Sequence, residues 1–388
     1  MMLTSPHCLL SVRPKRCRAE MSSSSSKSTP PPPPPENPIV LGCGAVSVDY
    51  LATVAAYPNP DDKIRPPPPQ NIFVGGGGNV GNALTGAARL GLKPRIISKV
   101  ADDTQGRNAL AELERDGVDT SFMVVSEEGN SPFTYIIVDS QTKTRTCIHT
   151  PGYPPMVPDE LSKPKLLSAL DGANLVYFDV RWHETALVVA KEAARRKIPI
   201  LVDSERKREG LDDLLSLATY VVCSEKFPQQ WTEAPSTPSA LVSMLLKLPN
   251  LKFVIVTLGE KGCIMLERSI KENSNEEEID VESLLDSLKQ QVDQSSTSPK
   301  CISSNSTLRI KANGIGAVCG RLLIGTADTI PPADVIDTTG AGDAFIGAVL
   351  YGLFNTSFHV FYVSLLLHAF TRAISNNTQV FSFIRFYA

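Results

Sequence analysis

The chain has 388 residues, 42% of them hydrophobic and 20% charged, and 38 Lys and Arg against 41 Asp and Glu leave a net charge of −3. That is enough apolar material for one large α/β domain or two modest ones, and a balanced charge with no basic stripe excludes a nucleic-acid partner. No stretch nears the roughly 18 uninterrupted apolar residues of a membrane helix, and the eight cysteines form no CxxC pair or dense cluster, so the chain reads as a soluble, intracellular, enzyme-sized protein of a reducing compartment.

Residues 1–38 carry Arg13, Lys15, Arg16, Arg18 and Lys27 against a single acid before residue 36, Glu20, with a serine run at 22–26 and prolines at 30–35. Such a segment cannot bury a core and reads as a disordered tail. Its basic, Ser-rich, acid-poor character equally suits an organelle transit peptide, which leaves a cytoplasmic and a plastid location open. Order begins at the apolar run Pro38–Cys43, closed by glycines and read as a buried strand. Further strands are expected at 95–100, 133–138, 175–178, 198–202, 220–223 and 253–257, and helices at 79–90, 105–116, 184–196 and 239–248. From Leu175 onward strand and helix alternate, which predicts an α/β fold with a central, mostly parallel sheet flanked by helices. Thr134–Ile148 differs: two alternating runs flank Asp139-Ser-Gln-Thr-Lys and read as a hairpin, which with residues near 50–72 forms a small β appendage. Pro66–Pro69 is a loop. Residues 267–307 are polar, Ser-rich and acidic around Glu276–Glu278, and read as a long surface insertion.

The densest chemical signal is Val335-Ile-Asp-Thr-Thr-Gly-Ala-Gly-Asp-Ala-Phe-Ile-Gly-Ala-Val-Leu. An apolar run ends at Asp337, a glycine turn follows, and a helix starts near Ala341. Unpaired N–H groups and the helix dipole make such a start attractive to anions, and Gly340 and Gly342 let the backbone approach one closely. A carboxylate in that place, Asp343, suits a base that takes the proton from a hydroxyl attacking a phosphoryl group. The amides of Gly340, Ala341 and Gly342 then stabilise the developing charge. A capped turn with a solvated Asp is the bland alternative, and Asp337-Thr-Thr before it and the helix after it weigh against that.

A second signal is Phe73–Gly91, where glycines 75–78 open a helix that buries Val80, Ala83, Leu84, Ala87 and Leu90 and closes at Gly91. Asn79 and Asn82 share one face of its first turn, where two side-chain amides suit neighbouring hydroxyls of a sugar. A flexible glycine turn with capping asparagines fits the same residues. The spacing is not that of a dinucleotide fingerprint. In a third segment the apolar run ending at Thr257 leads into Gly259 and Gly262, at the kind of strand end where α/β folds bind nucleotides. The histidines share no ligand spacing.

In this order the motifs resemble those of the ribokinase-like sugar kinases, the pfkB carbohydrate kinase family, with Gly-Gly-Asn early and Asp-Thr-x-Gly-Ala-Gly-Asp late, over about Ile39–Gly352. Ser47-Val-Asp-Tyr, Tyr57-Pro-Asn-Pro-Asp-Asp-Lys-Ile-Arg, Thr144-Arg-Thr and the segment Asp203–Leu211 are most similar to the ketohexokinase branch. The resemblance implies a ribokinase-like kinase domain over 39–353 with a small β-sheet lid, about 50–72 and 133–149. It implies ATP and Mg²⁺ as cofactors and transfer of the γ-phosphoryl group to a hydroxyl of a small ketohexose or pentose-like sugar. Asp49, Asp61, Gly78, Asn79 and Asn82 would hold sugar hydroxyls, with Arg145 reaching in from the lid and Asp343 as base over Gly340, Ala341 and Gly342. Thr257, Gly259, Gly262 and Ser224 would border ATP, with Glu205 near its phosphates. No residue is read as a direct metal ligand, and a homodimer joined through the lid is expected. Two departures stand out. Ser224-Glu-Lys-Phe replaces the Asn-x-x-Glu of many members, and residues 354–388 are aromatic and Asn/Ser-rich where the family continues with helices that wall the adenine pocket. The second departure keeps open a catalytically impaired relative that binds sugar or a protein without turnover, and a nucleoside kinase of the same fold is a further alternative.

Overall fold

Strands of a parallel sheet covered on both faces are written as continuous apolar runs, and such runs form the centre of the computed structural model, which describes residues 37–64, 73–269, 278–292, 299–304, 308–327, 329, 331 and 338–354. In chain order the first strands are β1 (Ile39–Cys43), β2 (Ser47–Val54), β3 (Phe73–Gly77), β4 (Lys93–Ile97), β5 (Lys99–Ala101), β6 (Val124–Ser126), β7 (Phe133–Asp139), β8 (Arg145–Thr150) and β9 (Ala173–Phe178). They are followed by β10 (Ile200–Ser204), β11 (Tyr220–Cys223), β12 (Phe253–Thr257), β13 (Cys263–Arg268), β14 (Glu278–Asp280), β15 (Cys301–Ser303), β16 (Leu308–Ala312) and β17 (Gly316–Gly325). The helices are α1 (Asn79–Arg89), α2 (Thr104–Arg115), α3 (Lys163–Ala169), α4 (His183–Arg195), α5 (Leu211–Leu217), α6 (Phe227–Thr232), α7 (Thr237–Lys247), α8 (Val281–Gln290) and α9 (Ala341–Gly352).

The main sheet runs β14-β16-β17-β13-β12-β11-β10-β9-β1-β4, with β15 also on β17. From β12 to β4 neighbouring strands are parallel, and β13 and β17 add antiparallel. Alternate residues of each strand face opposite layers. Val40, Tyr177 and Leu201 pack with α1, α2 and α9, while Leu41, Val176 and Val202 pack with helices of the other layer. A separate four-stranded sheet, β3-β2-β7-β8, forms the lid. Only residues 44–46 separate β1 from β2, so this sheet hangs from the C-terminal end of β1.

The hairpin read over Thr134–Ile148 forms as β7 and β8, and β11 and β12 have the limits read from their apolar runs. Three expectations are corrected. Residues 73–77 are not part of a glycine turn but a strand paired with β2, because bare glycine backbone can still complete a ladder. The run 95–100 is broken at Ser98 into β4 and β5. The segment 267–307 is more than a surface insertion. Its Val281, Leu284, Leu285 and Leu288 bury one face of α8, an i, i+3, i+4, i+7 pattern hidden by a Ser- and Glu-rich composition. Residues 1–36 and 355–388, Pro66–Pro69 and Val335–Asp337 lie outside the described residues. Among the described residues no helix is long and apolar enough to cross a membrane.

Candidate active site

α1 and α9 lie side by side with their first turns together, near the C-terminal ends of β1, β9 and β10. Gly347 permits the approach, since a Cβ there would sit 2.9 Å from the Ala83 carbonyl oxygen. As a result Asn82 Nδ2 donates to Asp343 Oδ2 at 2.8 Å. Asn79 Nδ2 donates to Glu205 Oε1 at 3.0 Å. The chain enters α1 through Gly78 at φ 86, where a Cβ would also meet the Ala45 carbonyl oxygen at 2.6 Å, so neither conformation nor space admits a side chain. From the lid, Arg145 donates to Thr338 Oγ1 in the turn that leads to α9.

These groups share one cleft of about 710 Å³, whose lining includes Asp49, Gly78, Asn79, Asn82, Arg145, Glu205, Gly340 and Asp343. Ala341 and Gly342 follow in the first turn of α9. Asp61 is not brought to them: it is exposed in a turn beyond β2, at φ 67. Ser224, Thr257, Gly259 and Gly262 stand at the ends of β11 and β12, further along the sheet, and do not line this cleft. Ser224 Oγ donates to the Glu205 carbonyl at 2.6 Å, and Thr257 Oγ1 donates to the Cys223 carbonyl at 3.3 Å.

Carboxylates crowd the site. Burial raises Asp343 to about 7, with Glu205, Asp49 and Asp179 adding to the shift and the Asn82 hydrogen bond opposing it. Burial raises Asp49 to about 6, against hydrogen bonds from Thr134 and Ser47 and the nearby charge of Arg145. Asp179 and Asp203 are buried carboxyls beside the site to which the sequence analysis gave no role, although Asp203 opens the quoted segment Asp203–Leu211; the local signal was an Asp at the end of each of two buried strands. Asp179, raised to about 6 mainly by burial, accepts from the Ala45 N–H at 2.8 Å and the Arg181 N–H at 3.0 Å, and so fixes the β1–β2 connection. Asp203 is pushed well above the carboxylate range by burial and by Glu205, Asp343 and Asp179. Like charges so close cannot all ionise at neutral pH. The first turn of α9 thus sets backbone amides, of which the Ala341 N–H donates to the Thr338 carbonyl at 3.3 Å, beside a carboxyl raised to about 7.

The cleft also carries basic groups. Arg181, Arg206 and Arg208 line the cleft, as do Trp182 and, from the lid, His149. Trp182 Nε1 donates to the Gly44 carbonyl at 3.3 Å. Among the described residues no cluster of three His, Cys, Asp or Glu side chains is arranged to hold a metal ion.

Over residues 45–287 and 325–357 the chain matches the family model described as pfkB family carbohydrate kinase. It is 23% identical over 323 residues to the ribokinase of Mus musculus, covering 82% of each chain. It is 24% identical over 329 residues to the "Probable fructokinase-3" of Arabidopsis thaliana, covering 81% of this chain and 77% of that one. The structure of Arabidopsis thaliana ribokinase complexed with ribose and ATP superposes with a TM-score of 0.60 at 17% identity, covering 89% of this chain and 95% of that one. For the ribokinase of Giardia lamblia the TM-score is 0.61 at 16% identity, covering 89% and 96%. The fold is ribokinase-like.

Proposed function

This chain belongs to the pfkB family of carbohydrate kinases, and on that footing we propose that it transfers the γ-phosphoryl group of ATP to a hydroxyl of a small ketohexose or pentose-like sugar, with Asp343 as base. The ribokinase and fructokinase relatives support a small sugar, and the ketohexokinase-like segment Asp203–Leu211 favours a ketose. The observation that carries the reading is Asp343 in the first turn of α9, held by Asn82 at 2.8 Å inside the cleft.

Asp343 takes the proton as the acceptor oxygen attacks the γ-phosphorus. The bond from that phosphorus to the bridging oxygen breaks, ADP leaves, and the proton passes from Asp343 to solvent. Gly340, Ala341 and Gly342 offer N–H groups to the charge that develops on the transferred phosphoryl. Asn79, Asn82 and Asp49 orient the acceptor through its hydroxyls, and Arg145 ties the lid to the Thr338 turn. Ser224, Thr257, Gly259 and Gly262 border ATP from the neighbouring strand ends. Mg²⁺ would be held chiefly by the nucleotide's phosphates with Glu205 as the nearest cleft carboxylate, and it would neutralise phosphate charge. The outward face of the lid supports a homodimer: Val74, Tyr50, Tyr135 and Ile148 lie in one row across its four strands, and Val74, Tyr135 and Ile148 are 48%, 51% and 54% exposed.

ADP release by the purified chain with Mg²⁺, ATP and a panel of ketoses, pentoses and nucleosides tests the reading. Turnover on a ketose or pentose is expected, lowered about a hundredfold or more in Asp343→Asn. Turnover unchanged in that variant refutes Asp343 as base, and a folded chain that phosphorylates nothing refutes the activity.

A further inference from the structure

β3 is an edge strand of the lid, paired with β2 on one side, and it ends in Gly75, Gly76 and Gly77. A Cβ on Gly77 would sit 2.3 to 2.5 Å from the atoms of the Asp49 carboxyl, so bare backbone is what lets that side chain lie across the strand. The same bareness leaves β3 without side chains to pack it in place over these residues. At a sheet edge every second backbone N–H points away from the partner strand and needs another acceptor.

Glu112 supplies one. It stands in the last turn of α2, and its Oε2 accepts from the Gly76 N–H at 2.8 Å. A Cβ on Gly76 would meet the same carboxyl at 3.1 Å, so helix and strand are in close contact here. The other oxygen, Oε1, is 3.9 Å from Arg115, too long for a hydrogen bond; the carboxylate is turned to the strand and not to its neighbour on the helix. α2 is fastened to the lid at its other end as well. Its N-cap Asp103 accepts from the Gly106 N–H at 2.7 Å, and from the Ser131 N–H at 2.8 Å and Oγ at 2.7 Å, shortly before β7 begins. Behind the strand Glu112 shares a small cavity with Ser47, Gly77 and Asn82, and Ser47 Oγ donates to Asp49 at 3.3 Å.

We propose that Glu112 is a positioning residue for the acceptor: its carboxylate holds the outer edge of β3, and so fixes the glycine floor under Asp49 and the entry of the chain to Asn79. Glu112 does not line the cleft that holds Asp343, so it acts on the acceptor only through β3. A backbone N–H donating to a carboxylate makes a hydrogen bond of the stronger, charge-assisted kind. Glutamine keeps an acceptor oxygen at the same reach, whereas alanine removes it. This inference rests on the sugar-kinase reading above, in which Asp49 and Asn79 orient the acceptor.

The test compares the full wild-type chain with Glu112→Ala and Glu112→Gln. Hydrogen–deuterium exchange over residues 73–77 should quicken about tenfold in Glu112→Ala and stay within about threefold of wild type in Glu112→Gln, while the buried strand β12 exchanges alike in every chain. Unchanged exchange at 73–77, or exchange quickened equally in β12, overturns the role given to Glu112 whether or not the chain phosphorylates a sugar. With D-fructose and D-ribose as acceptors at saturating ATP and Mg²⁺, Glu112→Ala should raise the acceptor KM about tenfold, with kcat and the KM for ATP moving less than about threefold. Glu112→Gln should restore the wild-type KM. A fall in kcat with no change in the acceptor KM overturns the inference, and so does a KM that rises equally in the glutamine variant. If the wild type phosphorylates no sugar, the kinase reading fails by its own test, and the exchange at 73–77 still decides whether Glu112 holds β3.

Discussion

Replacing Asn82 with Ala would leave Asp343 as buried as before but without the 2.8 Å hydrogen bond that favours its ionised form. Hydrogen bonds to charged groups contribute about 1.5–3 kcal/mol. One pKa unit corresponds to about 1.4 kcal/mol, so the Asp343 carboxyl should rise by about 1–2 units. The base works ionised, and the acid limb of kcat/KM reports the free enzyme. Its midpoint is therefore expected near the wild-type value of about 7 and displaced to about 8 or 9 in Asn82→Ala. At neutral pH the variant loses about tenfold or more from this cause alone, and alkaline buffer restores that part. Asn82 also faces the acceptor, so the plateau falls as well; the midpoint of the limb, not the height of the plateau, is the diagnostic quantity. The assay is ADP release from about pH 5 to about pH 9 with the acceptor held below its KM. A limb that stays in place, or moves to lower pH, refutes the role given to this hydrogen bond.

Two further outcomes are expected. Asp49 and Asp179 are raised to about 6 and Asp343 to about 7, all from 3.8, so the folded chain keeps protons that the unfolded chain has released. The stability these groups give is full below about pH 4 and falls as pH rises to about 7. The protein should melt higher at pH 5 than at pH 8, and Asp343→Asn should stabilise it at pH 8 by on the order of 1–3 kcal/mol but hardly at pH 5; identical melting of the two chains at pH 8 contradicts this. Sedimentation should show a dimer, and Tyr135→Glu, in the middle of the outward lid row, should give a monomer at micromolar concentration because a charge cannot be buried there unpaired. A wild-type chain that sediments as a monomer rules out the lid interface.

Where the sequence was legible, the information was local. β11 and β12 could be delimited because a strand buried on both faces is apolar throughout, and the turn Gly340–Asp343 because helix start, glycines and carboxylate occur within a few residues. β3 was not, since glycines leave no alternating pattern although their backbone pairs with β2. α8 was obscured because four apolar residues are diluted by Ser and Glu. At the site the two asparagines and Asp343 were each visible, but not their relation: Asn82 and Asp343 are 261 positions apart, and Asn79 and Glu205 are 126 apart. Asp203, Arg206 and Arg208 lay in a segment quoted only for its resemblance, and nothing in the sequence linked them to Asp179 and Arg181, because what joins them is the adjacency of β9 and β10 in the sheet. Asp61 was singled out on resemblance alone, and its place in an exposed turn has no counterpart in the cleft.

Gly347 sets more than a packing distance. By drawing α9 onto α1 it makes the base and the asparagine that orients it parts of one rigid unit, so the proton acceptor is assembled before any ligand arrives and little reorganisation remains for the reaction itself. A ready-made base in an open cleft carries a hazard, because water is also a hydroxyl that can attack ATP. Burial, the largest cause of the rise of Asp343 to about 7, moderates this, because near neutral pH only part of the population holds the ionised carboxylate that could activate water. The packing of two helices thus bears on both the position of the base and its proton affinity.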